Sequence, residues 1–156
     1  SNPPILIFSP SRRVRDNTTK HTLQNADETR EVVINMVDYS IVEQMSQSSN
    51  EYAKGVNEFT ETGLTQVSSL KVKPPRVLES PVSFECVVEN IISLGENGGA
   101  GQLVIAKVVQ IHVNSELLDS NDQIDPTKLD LVARLGGDWY TRVSKESMFT
   151  ISKPEG

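Results

Sequence analysis

Between residues 9 and 22 the chain concentrates five hydroxyl side chains, Ser9, Ser11, Thr18, Thr19 and Thr22, with four cations, Arg12, Arg13, Arg15 and Lys20, against a single acid, Asp16. The segment joins a short apolar run, Ile5-Leu6-Ile7-Phe8, to the start of a helical pattern. A helix N-terminus offers unpaired backbone N–H groups and a partial positive charge, arginine adds a planar fork and lysine a point charge, so the placement suits a phosphate monoester. The plainer reading of the same residues is a solvated loop, because Arg and Lys mostly occupy surfaces. A second stretch, Arg134-Leu135-Gly136-Gly137-Asp138-Trp139-Tyr140, combines a cation, a glycine pair and two of the few aromatic residues. It suits a loop that closes over a flat ring, and equally a glycine turn whose Trp139 and Tyr140 plug the end of a barrel.

Other chemistry-bearing residues read as structural. The run Gly95-Glu96-Asn97-Gly98-Gly99-Ala100-Gly101 precedes a strand, whereas phosphate-binding glycine loops lead into a helix, so it is expected to be a hairpin tip. His112 falls on the less apolar face of its strand with no metal-ligand spacing around it, and a structural or surface histidine is expected. Cys86 lies between Phe84 and Val88 on an apolar face, as an inert buried thiol would. Gly-x-Ser-x-Gly is absent, and neither histidine has an evident nucleophile beside it, so nucleophilic catalysis is not indicated.

The elements that must position these residues are set by periodicity. Ile5-Leu6-Ile7-Phe8 reads as a strand buried on both faces, residues 22–29 as a short amphipathic helix, residues 32–37 as a second buried strand and residues 40–47 as a second short helix. Residues 48–75 are polar, carry Gly55 and Gly63 and end in Pro74-Pro75, so they read as mostly loop, although long for an idle one. From Pro81 the period becomes two. Val82, Phe84, Cys86, Val88, Ile92 and Leu94 are expected on the apolar face of a half-buried strand, with Ser83, Glu85, Glu89 and Ser93 opposite. Leu103, Ile105, Val109, Ile111 and Val113 resume the alternation in a partner strand, making a long hairpin. Two helices are too few to cover both faces of a parallel sheet, so the expected class is mainly β with accessory helices, an antiparallel sheet curled into a small barrel.

Composition sets the outer limits. The 156 residues suit one domain, and 37% hydrophobic with 23% charged residues suits a folded one. A net charge of −6 disfavours nucleic acid and anionic membrane as partners, since both select a basic face. One cysteine allows no internal disulfide, no apolar run reaches membrane-span length and no secretory signal opens the chain, so a cytoplasmic setting is expected. The chain starts on Ser1-Asn2-Pro3-Pro4 and enters an apolar strand at once, the pattern of the middle of a longer protein.

Several segments in order resemble the flavin reductase-like FMN-binding family, the branch of flavoredoxin and monooxygenase reductase components. They are Asn2-Pro3-Pro4-Ile5 leading to Ser9-Pro10-Ser11-Arg12, then Lys20-His21-Thr22-Leu23-Gln24-Asn25 and Glu31-Val32-Val33-Ile34-Asn35. The similarity continues through Gly55-Val56-Asn57-Glu58-Phe59, Pro74-Pro75-Arg76-Val77, Glu79-Ser80-Pro81-Val82, Val108-Val109-Gln110-Ile111-His112-Val113 and Arg134-Leu135-Gly136-Gly137-Asp138. The resemblance implies an antiparallel split β-barrel, an FMN cofactor, NAD(P)H as reductant, a homodimer, and a monooxygenase or other electron acceptor as partner. By motif match Ser9, Ser11 and Arg12 would lie along the ribityl phosphate, with Lys20 and Thr22 holding it at the helix start, and Arg134 and Tyr140 on the ring side. No residue is expected to act as acid or base.

Two departures from the family pattern stand out. Where the family commonly has Lys-Asp-Thr this chain has Lys20-His21-Thr22, and its Gly-Glu-Phe is here Arg30-Glu31-Val32, a change that bears on packing. The family's upstream strands, which meet the flavin ring, are missing from this sequence. The expected activity is flavin reduction by NAD(P)H; the rival readings are a non-enzymatic FMN-binding electron carrier and a truncated, cofactor-free dimerisation domain.

Overall fold

The computed structural model describes residues 2–154, so Ser1, which contributes to the reading of an internal start, lies outside the described residues. In chain order the elements are β1 (Ile5–Phe8), α1 (His21–Thr29), β2 (Glu31–Asn35), α2 (Val42–Ser48), α3 (Glu58–Thr62), β3 (Gln66–Val67), β4 (Arg76–Val77), β5 (Val82–Ser93), β6 (Gln102–Val113), β7 (Leu131–Gly136) and β8 (Trp139–Val143). The protein is mainly β, and its strand pairs are antiparallel. A four-stranded sheet runs in the order β1-β6-β5-β2, while β3 pairs β4 and β7 pairs β8. The two 12-residue strands β5 and β6 are its spine. They are rich in Val and Ile, whose branched side chains suit a pleated surface, and they are joined by the glycine-rich tip. No helix among the described residues is long and apolar enough to cross a membrane.

Helix α1 connects the two edge strands and packs on one face of the sheet. Leu23 and Ala26, three residues apart and therefore on one side of the helix, meet Val88 and Val104, with Phe8, Val32 and Ile91 around them. A neighbouring cluster of Cys86, Ala106 and Val108 extends this core beneath Leu6, Ile34 and Phe84. The helix stops at Arg30, which adopts the left-handed conformation at φ 57° and donates its N–H to the Ala26 carbonyl. That conformation costs a side-chain-bearing residue about 1–2 kcal/mol. It is offset here by Arg30 Nη2, which donates to the carbonyls of Val88 at 3.1 Å and Glu89 at 3.2 Å. The position where the family resemblance suggests glycine thus carries an arginine that clamps the helix end to β5.

The faces of the hairpin differ from the period-two expectation. Pairing steps from Glu85↔Gln110 to Cys86↔Val108, and from Val88↔Ala106 to Asn90↔Ile105, so Val109 and Glu89 are bulged out. Each extra residue exchanges the faces of the strand beyond it. Ile91 turns inward, Ile92 and Leu94 are 40% and 62% exposed, and Val104, Ala106 and Val108 occupy the core where Leu103, Ile105, Val109 and Ile111 were expected. Of these, Val104 packs with Val88 against the helix, and Ala106 and Val108 pack beneath Leu6, Ile34 and Phe84. Strand β1 is covered on one face only, with Ile7 65% exposed, and β2 is shorter than expected and half-buried along its length.

Residues 48–75 contain α3 and β3 instead of plain loop. Asn57 caps α3 by accepting the Phe59 N–H, and Gly63 ends it at φ 72°. Asp38 takes the Ser40 N–H at 3.0 Å and opens a single 3-10 turn, Tyr39–Ile41, that runs into α2.

The second face of β5, expected to be solvated, is covered by residues 68–77, and Glu85 beneath them has no exposed surface. Its carboxylate accepts the N–H groups of Leu70 at 2.8 Å, Lys71 at 2.6 Å and Val72 at 3.2 Å, and lies 2.5 Å from His112 Nε2. Three N–H donors and an imidazole replace water around the charge, which makes burial tolerable. Burial pushes the Glu85 carboxyl up, but the bonds from Leu70 and Lys71 and the neighbouring His112 ring prevail and hold it below its ordinary value.

Candidate functional site

The cationic segment is pinned against the tip of the β5–β6 hairpin. Arg12 donates its N–H to the Ala100 carbonyl at 2.9 Å, Gly99 donates to the Arg12 carbonyl at 3.0 Å, and Ser11 bridges Gly101. The close approach depends on glycine at Gly98, where a Cβ would fall 3.0 Å from the Val14 backbone, whereas one at Gly101 would meet only the Ser9 hydroxyl, at 2.6 Å, which a side-chain rotation relieves. The tip is a hairpin turn as expected, and it is also the floor on which the loop rests.

Within the loop most of the charge is already partnered. Arg12 donates from Nε and Nη2 to the side chain and carbonyl of Asn17, which sits in the left-handed region and donates from Nδ2 to the Glu96 carbonyl at 2.8 Å. Arg13 donates to Thr18 Oγ1 and the Thr19 carbonyl and pairs Glu51 at 3.5 Å. Arg15 pairs Asp16 at 3.1 Å and Glu51 at 3.3 Å. The Thr18 hydroxyl and N–H, followed by Arg15, hold the Asp16 carboxyl down to about 2. Lys20 is exposed and forms no ion pair among the described residues.

Lys20 is the N-cap of α1, and no side chain caps that end. The expected cap at His21 or Thr22 is therefore not made; Leu23 and Gln24 donate to the Lys20 carbonyl at 3.1 and 3.2 Å, which leaves the N–H groups of His21 and Thr22 for an outside acceptor. Three cavities meet there, each lined by His21 and Glu58. A polar one of about 300 Å³ is bounded by Arg13, Lys20, Thr22 and Tyr52. A larger one of about 680 Å³ has Phe8, Val32, Ile34 and Phe59 on its apolar walls and also touches Thr22. The third, about 420 Å³, is lined by Gln24, Asn25, Tyr52 and Lys54.

Of the residues singled out by sequence, Lys20 and Thr22 share the polar cavity. Ser9, Ser11 and Arg12 sit along the hairpin tip instead and line none of the three. Arg134 and Tyr140 are on the β7–β8 hairpin, also outside these cavities, and the Arg134 guanidinium lies 5.9 Å from the Tyr140 ring centre while donating to the Gly137 carbonyl. Trp139 is 77% exposed and plugs no barrel end within this chain. Glu58 and Tyr52 come from the stretch read as loop; the Asn57 cap and Gly63 stop bracketing α3 were the signal for it.

His112 is held by Glu85, and Cys86 has no exposed surface, burial pushing its thiol up to about 11. Both fit the structural roles expected of them.

Comparison with known proteins places this geometry. The model of the flavin reductase like domain matches residues 1–128. An uncharacterized protein of Aquifex aeolicus is 35% identical over 149 residues, covering 96% of this chain and 74% of that one. Component B of nitrilotriacetate monooxygenase from Bacillus cereus superposes with a TM-score of 0.85 at 30% identity, over 96% of this chain and 73% of that one. A split-barrel protein from Shewanella frigidimarina gives a TM-score of 0.78 at 30% identity, over 97% and 72% of the two chains. The antiparallel sheet described above is thus a split-barrel fold, and the chain belongs to the flavin reductase like domain family.

Proposed function

We propose that this chain seats FMN by its phosphate at the start of α1 and serves the transfer of hydride from NAD(P)H to that flavin. One observation carries the reading: an uncapped helix N-terminus, flanked by Lys20 and Thr22, opens on a polar cavity of about 300 Å³ that adjoins an apolar one of about 680 Å³. The residues fit the group. Free N–H groups and an unpaired lysine call for an anion, and a flat ring needs apolar walls. Flavin, when bound, supplies a ring that accepts a hydride from reduced nicotinamide.

The protein's part is binding and orientation. Lys20 neutralises phosphate charge, and Thr22 adds a hydroxyl beside it. Arg12, held by Asn17 through Nε and Nη2, adds positive charge from the hairpin tip on this reading, with the Ser9 and Ser11 hydroxyls beside it in the chain. Phe8, Val32, Ile34 and Phe59 keep water from the ring. Arg134 and Tyr140 line none of the cavities at α1, so on this reading they serve a ring held by a second copy in a homodimer, and the electron acceptor is a partner monooxygenase or a protein of like role. The similarity to a monooxygenase component B supports the latter.

The test is FMN binding followed by flavin fluorescence and thermal stabilisation, with NADPH and NADH oxidation measured on the loaded protein. Lys20→Ala removes a charge-assisted contact worth about 1.5–3 kcal/mol and should weaken FMN roughly 10- to 100-fold. An exposed Lys20 with no structural partner makes misfolding an unsuitable explanation for that loss. Unchanged affinity in Lys20→Ala refutes the phosphate seat; tight FMN binding without NAD(P)H oxidation leaves a flavin carrier instead of a reductase.

A further inference from the structure

At the opposite end of the long hairpin lies a cleft of about 510 Å³, with Arg76, His112 and Asn114 on its polar side and Leu78 and Ile111 on its apolar side. From Gln102 to His112 strand β6 spans roughly 33 Å at about 3.3 Å per residue, so the cleft is separate from the start of α1. Arg76 has 18% of its side chain exposed, and its donors are underused. Nη2 donates to the Ser68 carbonyl at 3.3 Å. Nε is buried 3.9 Å from Glu85 Oε1 without a hydrogen bond, the one such unpaired side-chain atom among the described residues. Glu85 cannot relieve it, because its oxygens already serve Leu70, Lys71, Val72 and His112. Across the cleft Asn114 uses Oδ1 to accept the Glu116 N–H and keeps its amide donor free.

We propose that this cleft binds a small organic carboxylate, its head group on Arg76 and Asn114 and its apolar body against Leu78 and Ile111. A partly desolvated guanidinium with unspent donors favours a planar two-oxygen acceptor, which it meets as a fork. The exposed apolar wall, Leu78 at 59% and Ile111 at 50%, gives the rest of such a molecule a surface to cover. The buried Glu85 charge behind Arg76 repels a dianion more than a monoanion, which selects carboxylate over phosphate. The site stands independently of the flavin reading.

The experiment maps amide chemical shifts on addition of benzoate, with benzamide as neutral isostere and inorganic phosphate as the alternative anion. Benzoate should shift the amides of Leu78, Ile111, His112 and Asn114, and benzamide and phosphate should not. Arg76→Gln should weaken benzoate by about tenfold or more, as expected for loss of a hydrogen bond to a charged group. Should Arg76→Gln fail to fold, Asn114→Asp keeps the Oδ1 acceptor for Glu116 while placing a negative charge at the rim, and should abolish benzoate shifts. FMN affinity should be unchanged in Asn114→Asp. Equal binding of benzamide, a preference for phosphate, shifts centred on residues 20–25, or benzoate affinity retained in Asn114→Asp would each overturn the proposal.

Discussion

Substituting Glu85 by Gln changes one atom type at the best-satisfied buried charge in the molecule. The carboxylate has no exposed surface and receives three backbone N–H groups and His112. A glutamine amide presents one oxygen to donors that now meet two, and its NH₂ group is set against N–H groups that need acceptors. Stranding buried donors costs about 1–3 kcal/mol each, and breaking a buried pair typically costs about 3–5 kcal/mol in all. With a urea dependence of roughly 2 kcal/mol per molar, Glu85→Gln should lower the unfolding midpoint by about 1.5–2.5 M near neutral pH. Acid supplies the control. The carboxyl is held below its ordinary value of 4.5 in the folded state, so its contribution is present above that value and is lost as pH falls through the lower folded value. The two urea curves should therefore converge in acid, the native protein losing what the variant already lacks. A variant within about 1 kcal/mol of the native protein at neutral pH, or a gap that persists undiminished below both values, would refute the account of Glu85 as a charged clamp on residues 70–72.

Three further outcomes are expected. Gly98→Ala sets a Cβ 3.0 Å from Val14 Cα and 3.2 Å from the Arg13 carbonyl oxygen, backbone atoms that cannot rotate away, so the cationic loop must shift at the hairpin tip, and amide exchange in residues 9–17 should quicken while the core strands stay protected. The Cys86 thiol, buried and pushed up to about 11, should resist an aromatic disulfide reagent in the native state and react stoichiometrically in urea; rapid native reaction would place it elsewhere. Arg30→Ala keeps the left-handed strain while losing the bonds to Val88 and Glu89, so it should unfold at lower urea than Arg30→Gly, which relieves about 1 kcal/mol of that strain.

What the amino-acid pattern makes legible is local. The apolar run at β1, the helix after the cationic loop, the branched strand β2 and the glycine-tipped hairpin each carry their own signal within a few residues, and all appear in the structure. The faces of β5 and β6 are not legible, because a bulge leaves no mark in composition, and one extra residue at Glu89 or Val109 inverts what alternation implies. Glu85 reads as solvent-facing for the same kind of reason. A carboxylate reads as exposed until it is known which backbone N–H groups reach it, and those of Leu70, Lys71 and Val72 arrive from a segment more than ten residues away. Among the site residues, hydroxyl and cation content points to the loop beside the uncapped helix but not to how its charges are spent.

That spending matters for how an anion would be held. The chain carries a net charge of −6, so long-range attraction for a phosphate is not available from the molecule as a whole. Arg13 and Arg15 are answered by Glu51 and Asp16, and Arg12 folds its fork onto Asn17. All three build the loop, but only the acid-paired Arg13 and Arg15 lose their field beyond it; Asn17 is neutral, so Arg12 keeps its charge. The positive potential at the cavity then comes chiefly from Lys20, which lines it, and from the uncapped end of α1, equivalent to roughly half an elementary charge, with Arg12 adding charge from the hairpin tip. Glu58, on the same cavity, works against both. On the flavin reading, neutralising Glu58 should therefore tighten phosphate binding while removing Lys20 weakens it, whereas a seat built from all four loop cations would leave each single change small.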